Sequence, residues 1–118
     1  MEEAEFRARI QATFDVIERA LESADPDVVE VEQSLGSLTL TFSGGKRCIL
    51  STQPSVRQLW LAVAHLGIAH HFNWSSSGTG SAAGAAGVWN DDKGKGVELL
   101  SFLETQLRDA AGLRVSFR

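Results

Sequence analysis

The residues able to do chemistry crowd into the first third of the chain. Between Glu22 and Gln33 the string ESADPDVVEVEQ carries five carboxylates and no base, and Asp15 and Glu18 precede it. An acidic run is ordinarily a solvated face, so spacing has to say whether these acids can act together. On a helix turning about 100° per residue, Asp15, Glu18 and Glu22 fall within one narrow arc. Side chains three or four positions apart stand about 5–6 Å from one another at Cβ, close enough for two carboxylates to share a hydrated cation. In the alternating stretch Val29-Glu30-Val31-Glu32 both glutamates point away from the valines. These acids can therefore form one acidic surface at the boundary of the first helix and first strand. Oxygen donors alone suit hard cations such as calcium, magnesium, manganese and iron, whereas tight zinc or copper sites use thiolate or imidazole. Two carboxylates completed by water make a weak, exchangeable site, and no EF-hand loop is present. Glu18, Glu22 and Asp25 also sit in or just past the last turns of the expected helix, where the negative dipole end makes each carboxylate cost about 0.3–1 kcal/mol. Local destabilisation that packing does not require favours a functional acidic surface over a solvated one.

Other chemistry is sparse. His70 and His71 are adjacent in an expected strand, so their side chains leave opposite faces and do not chelate one ion. His65 precedes them in a turn, and half-buried polar positions are the default for all three. The lone Cys48 has no disulfide partner in the chain and makes no cysteine-based zinc or iron–sulfur site on its own. No G-x-S-x-G, phosphate loop or Cys–His pair with an orienting acid occurs, and the G-x-G of GTGSAAG lies outside any βαβ unit. Trp60 shares a strand face with Gln58, opposite Leu59 and Leu61, which predicts partial exposure. It is either an interaction hot spot or a cross-strand packing residue.

Charge divides unevenly. Residues 1–32 hold ten acids against three bases, and residues 33–118 hold five acids against eight bases. An acidic front argues against a nucleic-acid backbone as partner and for cations or a basic protein surface. At 118 residues the chain forms one domain. No apolar run reaches bilayer length, and MEEAEFRAR is acidic where a targeting peptide would be basic. The expectation is a cytoplasmic protein with no membrane partner.

These residues need a scaffold. Phe6, Ile10, Phe14, Ile17 and Leu21 recur at helical spacing from Glu3 to about Ala24, and Asp25-Pro26 ends the helix. VVEVEQ, SLTLTF, RCILST, SVRQLWLAVA and AHHFNW read as strands, with SGGK as a hairpin turn. Residues 75–87, mostly SSSGTGSAAGAAG, read as a flexible Gly/Ser/Ala-rich hairpin insertion before VWN resumes the sheet. Lys93 to Gly96 form a loop leading into a second helix, GVELLSFLETQLRDAAG, with Val97, Leu100, Leu103 and Leu107 inward and Gly112 as C-cap. Helices at both ends of consecutive strands predict an α+β two-layer sandwich, with both helices on one face of a five- to six-stranded antiparallel sheet. Gln58 and Trp60 would occupy the open face.

The acidic helix and first strand, the LTLTF hairpin, the string QPSVRQLWLA (Gln53 to Ala62), VWN before a closing helix, and the AEF and FR near the two ends together resemble the frataxin family in its bacterial CyaY type. The likeness covers nearly the whole chain outside residues 75–87. It implies the frataxin-like sandwich, a role in iron–sulfur cluster assembly, and weak binding of ferrous or ferric iron on an acidic ridge whose metal ligands map to Asp15, Glu18, Glu22, Asp25, Asp27, Glu30 and Glu32. Other divalent cations fit the same donors. The implied partners are the cysteine desulfurase, whose activity such proteins modulate, and the iron–sulfur scaffold machinery, with Glu18, Glu22, Asp25, Gln58 and Trp60 as contact residues. The resemblance favours a non-enzymatic regulator and iron carrier. The alternative is a ferroxidase or iron-storage enzyme oxidising ferrous iron, although nothing here resembles a closed di-iron site. A monomer is expected, with iron-dependent oligomers left open.

Overall fold

A computed structural model describes residues 1–75 and 87–117. Helix α1 (Glu3–Leu21) is followed by β1 (Val29–Ser34), β2 (Ser37–Phe42), β3 (Arg47–Gln53), β4 (Gln58–Val63), β5 (Ile68–Ser75), β6 (Val88–Asp91) and helix α2 (Leu99–Ala111). The six strands lie in chain order, each antiparallel to its neighbours. Of the insertion expected over 75–87, Ser75 ends β5, and residues 76–86 lie outside the described ones.

Alternation builds the two layers. In β2, Leu38, Leu40 and Phe42 are buried between half-buried Ser37, Thr39 and Thr41, and in β4 Leu59, Leu61 and Val63 alternate with Gln58, Trp60 and Ala62. The inward set meets Phe6, Ile10, Phe14, Ile17 and Leu21 of α1 and Leu99, Leu100, Leu103 and Leu107 of α2 in one core. Helices on one face leave the other face of the sheet open, as the patterning predicts. Trp89 of β6 ties the layers together, its indole N–H donating to Thr13 Oγ1 at 2.9 Å and its ring meeting Phe6 edge-on.

The larger differences in element boundaries from the sequence reading each have a local reason. Helix α1 closes at Leu21, short of Ala24, because the chain already turns toward Pro26: Ala24 N–H bonds Leu21 O, and Val28 N–H bonds Asp25 O. Strand β4 begins at Gln58, because Pro54–Val56 form a 3-10 turn and Arg57 is left-handed at φ 53°. Val97 precedes α2 and is not on its buried face, since Glu98 is the N-cap, its carboxylate accepting from Leu100 N–H at 2.8 Å and Ser101 N–H at 3.2 Å. At the other end Gly112, at φ 66°, closes α2 as expected, with its N–H on Arg108 O and the Leu113 N–H on Leu107 O. Among the described residues no helix is long and apolar enough to cross a membrane.

Candidate metal-binding ridge and docking face

The acids are positioned by two elements that converge at one edge of the sheet. The last turns of α1 carry Asp15 and Glu18, Glu22 is its C-cap, the turn after it carries Asp25 and Asp27, and edge strand β1 carries Glu30 and Glu32. Asp15 and Glu18 are half-buried and the other five are exposed. Asp15 accepts from Gln11 at 2.9 Å, and Gln11 accepts in turn from Gln33, which ties α1 to β1. Asp25 Oδ1 accepts the Asp27 N–H at 2.9 Å and fixes the turn.

Between α1 and β1 runs a groove of about 280 Å³ with Leu21, Ala24, Val29 and Val31 among its lining and Glu18, Glu22 and Glu30 as its carboxylates. The fold thus brings three of the seven candidate ligands to one groove. Asp15, Asp25, Asp27 and Glu32 are not among its lining residues. Among the described residues none of the seven forms an ion pair, and the α1 bases Arg7 and Arg9 pair with Glu3 and Glu5. Nor do three or more His, Cys, Asp or Glu side chains among the described residues converge to hold a metal. The chemistry on offer is a diffuse negative surface where an ion would keep much of its water.

On the open face, Trp60 and Gln58 stand where the alternation placed them, and register supplies their neighbours. Pairing of Trp60 with His71 and of Gln58 with Asn73 puts all four side chains on one surface. Trp60 Nε1–H donates to Gln58 Oε1 at 2.8 Å, and the indole stacks on the His71 ring with centroids 4.0 Å apart and planes 11° from parallel. Gln58 Nε2 donates to Asn73 Oδ1 and to Asp92 Oδ2, each at 3.2 Å. His71 Nδ1 lies 3.7 Å from the same Asp92 oxygen. Trp60 therefore packs across the strands while remaining half-exposed. Trp60 is flanked by Ser51 on β3 and His71 on β5, and its neighbour Ala62 by Ile49 and Ala69.

His70 faces the other way, as adjacent strand positions must, and meets Phe102 of α2 edge-on at 4.9 Å. His65 is half-buried against Phe42. The sequence reading missed His71, Asn73 and Asp92 as members of the open-face cluster. Alternation assigns a face, but only the length of the turn between β4 and β5 sets which residues pair.

A second residue missed is Asp91. Its buried carboxylate accepts backbone N–H groups from Lys95 and Val97 at 3.1 Å and from Lys93 at 3.3 Å, which shapes the loop ahead of α2. Desolvation alone would raise its pKa, but the three amides and the nearby His70 outweigh it and hold the carboxyl below its ordinary value. Cys48 is fully buried in the core, where desolvation pushes its thiol up to about 11. It is protonated at neutral pH and no ligand.

The same architecture is found in known proteins. A family model described as the frataxin-like domain matches residues 1–113. The iron-sulfur cluster assembly protein CyaY of Tolumonas auensis is 30% identical over 116 residues, 98% of each chain. Its namesake from Paraburkholderia phymatum is 31% identical over 112 residues, 95% of this chain and 93% of that one. The solved structure of the frataxin from Psychromonas ingrahamii matches with a TM-score of 0.82 at 27% identity, covering 100% of this chain and 99% of the other. Helix order, six-stranded sheet and sequence agree over nearly the full length, and the chain belongs to the frataxin family.

Proposed function

We propose that this protein works in iron–sulfur cluster assembly as an iron-binding regulator, holding ferrous or ferric iron weakly on the α1–β1 ridge and modulating the cysteine desulfurase through that ridge and the open sheet. The observation that carries the reading is the set of seven acids at one sheet edge, with no ion pair among the described residues and three of them on one groove. Such a surface has lone pairs to offer a hydrated cation and a field to attract a basic protein patch. Relatives named for iron–sulfur cluster assembly support the pathway. Iron is cargo in this reading, exchanged because few carboxylates grip each ion. Gln58 and Trp60 add a second contact, an amphipathic ring and a polar neighbour on the open face.

A titration of the desulfurase by calorimetry tests the reading. The triple variant Glu18→Lys, Glu22→Lys, Asp25→Lys is expected to lose binding while remaining folded, and retained affinity removes the electrostatic part. Trp60→Arg is expected to weaken the same complex, and unchanged affinity returns Trp60 to a packing role. For iron, anaerobic addition of ferrous ion should perturb amide signals between residues 15 and 32. Turnover of ferrous iron by oxygen at substoichiometric protein would instead favour a ferroxidase.

A further inference from the structure

The open-face cluster contains a titratable ring in the one place where its charge state reaches Trp60. The indole is held by two contacts, its N–H on Gln58 and its face on His71. Both supports lead to Asp92, whose Oδ2 accepts from Gln58 at 3.2 Å and lies 3.7 Å from His71 Nδ1. Imidazole is the side chain whose ordinary titration range falls between about pH 5 and 8. Neutral, it stacks on indole as one aromatic ring on another. Protonated, it adds attraction to the indole π face and to the Asp92 carboxylate.

The other groups around His71 do not remove that effect. A small cavity of about 80 Å³ is lined by His70, His71, Asp91, Asp92, Lys93 and Lys95. Asp91 already accepts the amides of Lys93, Lys95 and Val97, and His70 extends from the opposite face of β5. The β4 residues paired with this part of β5, Gln58 and Trp60, are uncharged. Two lysines and two aspartates balance in number, and Asp92 is the carboxylate that reaches the ring.

We propose that His71 is a docking-face residue whose protonation fixes Trp60 in its stacked position, so that partner binding on the open sheet tightens as the ring gains its proton. The binding half rests on the docking role given to Trp60 above, and the ring coupling belongs to the free protein. Preorganising an aromatic anchor lowers the entropy lost on association.

The experiment follows the Trp60 indole N–H of the free protein by NMR across the ordinary imidazole range of about pH 5 to 8, assigned with Trp60→Phe, alongside the His71 ring signals. The two are expected to move on one titration curve, while the Trp89 indole, bonded to Thr13 in the core, stays fixed. His71→Gln should abolish the Trp60 response and His70→Gln should leave it. A Trp60 signal that is flat, or that still moves in His71→Gln, overturns the coupling. Desulfurase affinity should rise about two- to fivefold over the range in the wild type, stay flat in His71→Gln, and remain at the tighter value at both pH extremes in His71→Arg, a permanent cation. An equal pH slope in wild type and His71→Gln overturns the regulatory half. If Trp60→Arg binds as tightly as wild type, the docking role itself fails, and the ring coupling is still decided by the free-protein titration.

Discussion

Carboxylates at the two edges of the sheet are treated in opposite ways. At the β6 edge, Asp91 is buried and accepts three backbone N–H groups, which hold its carboxyl below the ordinary value. At the β1 edge, seven acids share a ridge without an ion pair among the described residues. The helix ends differ in their caps. Helix α2 closes on Gly112, whereas α1 has the acidic Glu22 as its C-cap, each helix carrying one base in its last turn, Arg108 and Arg19. A carboxylate that serves the fold is satisfied by the fold. On the ridge Asp15 accepts one bond from Gln11 and Asp25 one from the Asp27 N–H, against three backbone donors on Asp91, so degree of satisfaction rather than charge count separates the two edges.

Salt should expose this difference most strongly. Complex formation through the ridge is expected to fall by about tenfold or more as ionic strength rises from 0.1 to 1 M and the Debye length shortens from about 10 to about 3 Å. A single variant, Glu18→Gln, which still binds but lacks one ridge charge, should show a shallower dependence. Calorimetry or surface binding at the two salt concentrations checks it, and an equal slope in both proteins would merge the ridge with the ordinary surface.

The next largest effect lies at the other edge. Asp91→Ala leaves the Lys93, Lys95 and Val97 amides without their acceptor, so the denaturation midpoint should fall and those amides should exchange faster with solvent. The sign with pH follows from the lowered folded-state pKa. The charged carboxylate's contribution is complete above the unfolded value of 3.8 and is lost as pH falls through the folded value. The gap in stability between wild type and Asp91→Ala should therefore be widest near neutral pH and narrow in acid. Denaturant melts at both pH values read it directly.

A smaller effect tests the helix ends. Gly112→Ala forces a Cβ into the left-handed conformation at φ 66° and should cost about 1–2 kcal/mol, measured by denaturant unfolding. No substitution among the exposed ridge acids should approach that loss.

The parts of this arrangement that were legible in the sequence obey a period. Phe6, Ile10, Phe14, Ile17 and Leu21 announce their helix because one face must be buried, and the parity of Leu59, Trp60 and Leu61 assigns Trp60 to the open face without any knowledge of its neighbours. Asp15, Glu18 and Glu22 follow the helical period and Glu30 and Glu32 the strand period, whereas Asp25 and Asp27 lie in the turn after α1, which has none. That Glu18, Glu22 and Glu30 share a groove depends on how α1 crosses β1, which no local pattern encodes. Asp91 was illegible because its partners are backbone amides, which every sequence possesses. His71 and Asp92 join Trp60 through strand register and a loop bend, both tertiary facts. Val97 carried the right hydrophobicity for the α2 stripe, but its N–H bonds Asp91 and it stops short of the helix.

The smallest expected effect bears most directly on why the ridge acids are there. Glu22 sits at the C-cap of α1, exposed, with its charge against the negative end of the dipole and near Glu18 one turn back. Glu22→Gln keeps the shape of the side chain and removes the charge. If the acid is a burden on the fold, the variant should be more stable by about 0.3–1 kcal/mol at low ionic strength, with the gain shrinking as salt screens the dipole. It should at the same time bind ferrous iron more weakly in the anaerobic titration, since the groove loses one of its three carboxylates. Opposite signs in the two measurements would mark Glu22 as retained for binding at the expense of stability. A loss of stability instead would mean that Glu22 holds the helix end in place, and it would then belong with Asp91 on the structural side of the comparison.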